Sequence, residues 1–181
     1  MGSTPEHDAG NQTLARHEPA TLHPPPLRVG DVMSSDVAAC HAEDTLDRAA
    51  QLMWDRACGA LPVIDHQRCP IAMITDRDVC MAAYTQGKNL RSMVVASAMS
   101  RKLLTVAEDA TLDVAERLMR LHCIRRLPVV ARDGTLAGVI SIADIAANAR
   151  IGPTLGRDGL SLDVITATVA ALHHTVRPPP P

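Results

Sequence analysis

Aromatic side chains are almost missing: the 181 residues hold one Trp, one Tyr and no Phe. Single-stranded nucleic-acid binding by stacking bases on aromatic platforms is thereby excluded. A charge of one sign is missing too. With 18 basic against 20 acidic residues the net charge is −2, so no basic excess exists to neutralise a phosphate backbone. No apolar run approaches the roughly 20 residues that cross a bilayer. Met1 to Pro26 lacks the charged-then-apolar order of a signal peptide. The five cysteines, Cys40, Cys58, Cys69, Cys80 and Cys123, are odd in number and contain no C-x-x-C pair, which argues against a disulfide framework and against a zinc knuckle. The histidines are scattered without ligand spacing and read as solvated, so no metal is expected. No P-loop and no nucleophile–base pair is visible, so no catalysis is expected. These absences leave a cytoplasmic, non-enzymatic protein with neither a membrane nor a nucleic-acid partner. What is present is 46% hydrophobic residues, enough to bury a real core.

Residues 1–26, with Pro5, Pro19, Pro24, Pro25 and Pro26, show no apolar period and are expected to form a flexible leader. Residues 175–181 end in four prolines, which suit neither a helix nor an inner strand. Between them lies an internal repeat. At an offset of 66 positions Met33-Ser34 falls on Met99-Ser100, Thr45-Leu46-Asp47 on Thr111-Leu112-Asp113, and Leu61-Pro62-Val63 on Leu127-Pro128-Val129. Ile74, Thr75 and Asp78 fall on Ile140, Ser141 and Asp144. A unit of this length that occurs twice is not a solenoid; it predicts two similar units packed on each other.

Each unit reads alike. Leu46, Ala49, Ala50 and Met53 share one helical face, and Leu112, Ala115 and Met119 repeat it. Asp47 and Asp113 lie in the first turns, where the helix dipole favours an anion. Gly59 is placed to end the first helix of the first unit. Short apolar strands follow at 61–64 and 127–130, then strands at 71–74 and 137–140, with Asp133-Gly134 marking a hairpin turn. Second helices are expected near 76–86 and 142–150, and short strands at 37–40 and 103–106 precede the first helices. The result is an α/β (α+β) chain of two β-α-β-β-α units. The assignment is repeat 1 at 27–90 and repeat 2 at 91–150. A loop and a C-terminal amphipathic helix, with Leu162, Ile165, Val169 and Leu172 on one face, take 151–174. That helix either packs on its own module or meets a partner.

Met-Ser, Thr-Leu-x-x-Ala-x-x-x-Met, Leu-Pro-Val and Ile-[Thr/Ser]-x-x-Asp, in this order and twice, resemble the cystathionine-β-synthase (CBS) domain pair over about 27–150. The resemblance implies two repeats related by a pseudo-twofold axis, adenosyl ligands in the clefts between them, and a stand-alone regulatory module.

Thr75 with Asp78, and Ser141 with Asp144, sit where a strand turns into a helix. Two readings fit them. A hydroxyl followed three residues later by an acid resembles a capping box. The same groups suit a nucleotide, with the hydroxyl donating to phosphate and the carboxylate accepting from ribose hydroxyls; the resemblance implies these roles. Arg125 and Arg126 precede Leu127, where repeat 1 has Gly59 and Ala60. The resemblance, through the nucleotide-binding subunit of AMP-activated kinase, implies that Arg126 contacts phosphate. It also implies that Met33, Ala38, Cys58, Gly59 and Ala60 wall the Asp144 site, while Met99, Leu104, Ile124 and both arginines border the Asp78 site. The expected ligand is AMP, ADP, ATP or S-adenosylmethionine, with no cofactor required. The expected assembly is a homodimer of modules acting on a regulated protein. Two alternatives stand beside this reading: an interaction module with vestigial sites, and a redox-responsive accessory subunit using Cys58 or Cys123.

Overall fold

The computed structural model describes residues 26–148 and 162–174; the leader, the 151–161 loop and the proline tail lie outside them. Helix α2 (Leu46–Asp55) begins where the Thr45 hydroxyl accepts from the Arg48 N–H, and it buries Leu46, Ala49 and Met53. Its counterpart α4 (Leu112–His122) buries Leu112, Ala115 and Met119. Each packs on a three-stranded sheet. In the first, β1 (Cys40–His41) runs parallel to β2 (Ala60–Ile64), which pairs antiparallel with β3 (Pro70–Thr75). In the second, β4 (Val106–Ala107), β5 (Arg126–Val130) and β6 (Leu136–Ser141) repeat that order. Strands β3 and β6 run directly into α3 (Asp76–Gln86) and α5 (Ile142–Asn148). The fold is thus the expected mixed architecture, two sheets with helices. The first strands are shorter and later than expected.

The helix ends also differ from expectation. Gly59 does not terminate α2. The helix stops at Asp55, and the left-handed residue is Ala57, φ 48°. The equivalent Cys123, φ 53°, ends α4. In each case the next N–H closes the motif, Cys58 onto the Met53 carbonyl and Ile124 onto that of Met119, so orphan carbonyls are satisfied without glycine. Gly59 is small for another reason: a Cβ there would lie 3.0 Å from Asp76 Oδ2.

The two units are joined by exchange. Helix α1 (Val29–Val32) opens the first repeat in sequence, yet it docks on the second. The Val29 N–H donates to the Ala110 carbonyl and the Gly30 N–H to that of Glu108. In the mirror arrangement the Val95 N–H donates to the Asp44 carbonyl and the Ala96 N–H to that of Ala42. Ser34 and Val139 exchange backbone bonds, and the equivalent Ser100 N–H donates to the Met73 carbonyl. Val29 is therefore buried in the core of the second unit, and Met93 and Val95 in the core of the first. A fully buried valine contributes about 1.5–3 kcal/mol, so neither unit keeps a complete core without the other's leading segment.

Helix α6 (Leu162–His174) contacts α4 and α5, so of the two possibilities it packs on its own module. Among its described side chains Ile165 and Thr168 are buried and Val169, expected on the apolar face, is partly exposed; the side chains of Leu162 and Leu172 lie outside those described. The Thr168 hydroxyl donates to Oε1 of Glu116, a buried carboxylate that also pairs with Arg120 at 3.1 Å. At the position equivalent to Glu116, repeat 1 has Ala50.

Gly138 marks the closest approach in the exchange. A Cβ there would overlap the Ser34 carbonyl oxygen and come within 2.9 Å of Met33 Sδ. Gly138→Ala should destabilise the protein by about 1–3 kcal/mol, the usual scale of overpacking. The equivalent Ala72 already carries a methyl and makes the internal comparison. Urea unfolding measures the change; a loss below about 0.5 kcal/mol, within the range of a neutral surface substitution, would contradict the close approach.

Candidate functional site

Both strand-to-helix corners are built as capping boxes. At the first, Asp78 Oδ2 accepts from the Thr75 N–H at 2.9 Å and from the Thr75 hydroxyl at 2.7 Å, while the Asp78 N–H donates to Thr75 Oγ1 at 3.2 Å. At the second, Asp144 Oδ2 accepts from the Ser141 N–H at 2.8 Å and the Ser141 hydroxyl at 2.7 Å, and the Asp144 N–H donates to Ser141 Oγ at 3.3 Å. In both, Oδ1 of the acid makes no hydrogen bond among the described residues. Each carboxylate thus supports the corner with one oxygen and keeps the other for an external donor. Capping and ligand binding can use the same groups at once.

The corners differ in charge and in free donors. In repeat 1 the Asp76 N–H donates to the Gly59 carbonyl and the Arg77 N–H to Asp76 Oδ1 at 2.7 Å. With Asp78 capped as well, the first three N–H groups of α3 are used, and two carboxylates face any incoming anion. Repeat 2 has Ile142 and Ala143 in place of Asp76 and Arg77. The Ile142 N–H donates to the Arg125 carbonyl, and the Ala143 N–H has no side-chain partner among the described residues.

Arg126 lies directly opposite Ser141 in the β5–β6 register, as Ala60 lies opposite Thr75. Arg125 and Arg126 are both exposed, and neither pairs with a carboxylate among the described residues. The second corner therefore has Arg126 beside Ser141 and Arg125 beside Ile142, where the first has Ala60 beside Thr75 and Gly59 beside Asp76. Spacing alone did not reveal the role of Asp76; its signal is the Asp76-to-Ile142 difference between repeats.

The wall residues fall into two groups. Met33 joins the second corner's strand, because Ser34 is bonded to Val139 two residues before Ser141 and Met33 packs against the second core. Ala38 and Cys58 pack against the first core instead. Ala38, Cys58, Gly59 and Ala60 make no hydrogen bond to Ser141 or Asp144 among the described residues. Cys58 and Gly59 line an open groove of about 630 Å³ between α2 and α3, together with Ala50, Met53, Trp54 and Asp76. This groove occupies on repeat 1 the face that α6 covers on repeat 2.

All five cysteines are free thiols. Burial, with a smaller contribution from Asp44, pushes the Cys40 thiol up to about 12, which leaves it protonated and unreactive near neutral pH. Among the described residues no helix is long and apolar enough to cross a membrane.

The sequence pattern of the CBS domain matches residues 29–84 and again residues 95–150. The CBS domain-containing protein YhcV of Bacillus subtilis is 35% identical over 120 residues, which are 66% of this chain and 84% of that protein. Protein MK0525 of Methanopyrus kandleri is 33% identical over 119 residues, 66% of this chain and 61% of its own length. Among solved structures, CBSX2 in complex with AMP, a CBS-pair protein of Arabidopsis thaliana, is 28% identical with a TM-score of 0.58 and covers 66% of this chain and 93% of that one.

Proposed function

The chain belongs to the CBS domain family, and from that premise we propose that it is a non-catalytic regulatory module whose Ser141/Asp144 corner binds an adenine nucleotide. The observation that carries this reading is the difference between the two corners. Asp144 keeps one carboxylate oxygen for ribose hydroxyls, and the unpaired Arg126 guanidinium stands across the strand pair for phosphate. At the first corner Asp76 and Asp78 oppose a phosphate, and no arginine is paired with Thr75 in the register. The AMP complex of the related CBSX2 supports the ligand class.

The same electrostatics rank the adenosyl ligands. AMP, ADP and ATP bring negative charge to two guanidinium groups, whereas the sulfonium of S-adenosylmethionine brings a positive one. We assign the purine to the side of Met33, which rests on the second core, while Gly59 and Ala60 stay with the Thr75 corner, held by the Asp76 N–H and the strand register. The Met33–Ser34 segment comes from repeat 1 and rests on β6 of repeat 2. A ligand there loads the joint between the repeats, and it can shift the module only by its differential affinity for two arrangements. The setting we assign is the cytoplasm, which suits five free thiols.

Calorimetric titration of the full chain tests this. AMP should bind, and Asp144→Ala should abolish the tight site while Asp78→Ala leaves it nearly intact. Arg126→Ala should weaken AMP by roughly 10- to 100-fold, the equivalent of about 1.5–3 kcal/mol for a charge-assisted bond, with little effect on adenosine. Equal losses from Asp78→Ala and Asp144→Ala would overturn the asymmetry. No binding of any adenosyl ligand would favour an interaction module with vestigial sites.

We also propose that the module dimerises through the α2/α3 face of repeat 1. Trp54, which lines the open groove, is 86% exposed, and Tyr84 on α3 is 81% exposed, while α6 covers the equivalent face of repeat 2. Sedimentation should give twice the 19.3 kDa chain mass, and Trp54→Asp should return the monomer. A monomeric wild type would contradict this.

A further inference from the structure

We propose that His41, Glu43 and His66 form a binding site for a divalent transition-metal ion, with Zn²⁺ the best fit, on the edge of repeat 1 remote in sequence from the Ser141/Asp144 corner. The histidines look unrelated along the chain, and spacing gave no reason to join them. Pairing of β1 with β2 does so. His41 lies opposite Ile64 in the parallel register, so the turn carrying Glu43 and the turn carrying His66 leave the sheet side by side.

One donor atom from each of the three side chains lies within 4.8 Å of the others. His66 Nε2 is 3.5 Å from Glu43 Oε1. Ligands held about 2.0–2.1 Å from a tetrahedral ion stand roughly 3.3–3.5 Å apart, so this pair already has the separation of two ligands of one ion. The imidazoles of His41 and His66 stack, with centroids 5.5 Å apart. Glu43 and His66 are exposed on their turns, so small side-chain rotations close the remaining distance.

The surrounding bonds orient the donors. His41 Nδ1 lies 3.1 Å from the Ile64 carbonyl oxygen. A carbonyl can only accept, so Nδ1 carries the proton and Nε2 keeps the lone pair a metal needs. The His41 N–H is held by Asp44 Oδ2 at 2.8 Å, and Asp65 Oδ1 accepts from the N–H groups of Gln67 and Cys69 at 3.0 and 2.8 Å. Both turns are therefore pinned before any ion arrives. Two imidazoles and one carboxylate suit Zn²⁺ better than Mg²⁺ or Ca²⁺, which prefer oxygen alone.

The second repeat is an internal control. The equivalent positions are Ala107, Asp109 and Arg132, and Arg132 approaches Asp109 at 3.9 Å. There a permanent cation is built into the chain and no imidazole is present. Repeat 1 has two imidazoles in place of Ala107 and that cation.

Titration of the full chain with Zn²⁺ by calorimetry, and with Co²⁺ by visible absorption, tests the site. The chain should bind one Zn²⁺ here and give the ligand-field bands of a nitrogen- and oxygen-ligated Co²⁺. His66→Ala and His41→Ala should each weaken this binding by roughly tenfold or more, the scale of disrupting a metal's immediate surroundings, and Glu43→Gln should weaken it as well. The exposed His122→Ala should leave it unchanged. Thermal unfolding of the metal-free variants, unchanged from wild type, separates ligand loss from misfolding. Absence of binding in the wild type, or a titration unaltered by His66→Ala and His41→Ala, would overturn the proposal.

Discussion

Reciprocal insertion of the two leading segments is the constraint on which the rest of this structure depends. Val29 completes the core around β4–β6, and Met93 and Val95 complete the core around β1–β3. The backbone bonds that fix them obey the 66-residue offset in both directions: Val29 to Ala110 answers Val95 to Asp44, and Ser34 with Val139 answers Ser100 with Met73. The repeats therefore cannot be treated as separable beads. Anything that moves Met33 and Ser34 acts on β6, and β6 ends at Ser141.

Through this coupling, an event at one corner reaches the other repeat. The strand-to-helix corner of repeat 2 is held by its own capping box, so it is formed before a ligand arrives. Preorganisation of this kind lowers the ordering cost of binding. The repeats diverge around the two corners. Asp76, Arg77, Gly59 and Ala60 surround one corner, and Ile142, Ala143, Arg125 and Arg126 the other. The first carries the excess of acid and the second the excess of base. Helix α6 deepens the asymmetry, since it covers the α4/α5 side through Ile165 and the Thr168–Glu116 bond and leaves the α2/α3 side open.

Much of this was legible in the residues. The offset exposed the repeat, apolar spacing located α2 and α4, and the hydroxyl–acid pairs located both corners. What the chain order hid has a common cause: it lies in contacts between distant segments. Alignment made Met33-Ser34 equivalent to Met99-Ser100 but could not tell which sheet each would join. Cβ sterics point to glycine as the helix stop and so to Gly59, whereas the left-handed residue is Ala57, whose turn is supported by the Cys58-to-Met53 bond. The N–H groups at the start of α3 are taken by Asp76 and by the Gly59 carbonyl, a pairing the hydroxyl–acid spacing does not show. His41 and His66 meet only because a parallel strand pair brings together residues more than twenty positions apart. Thr168, outside the expected apolar face, is buried by its bond to Glu116, while Val169 on that face is partly exposed.

If a nucleotide engages the repeat 2 corner as proposed, the segment that repeat 1 lends to it responds as well. Backbone amide NMR of the labelled protein during an AMP titration reads both parts at once. Ala143 and Asp144 should show saturating shifts, accompanied by Ser34 and Val139, while Thr75 to Asp78 remain in place until the second corner is filled. Shifts that begin at Thr75 to Asp78, or shifts at Asp144 that leave Ser34 and Val139 untouched, would contradict it.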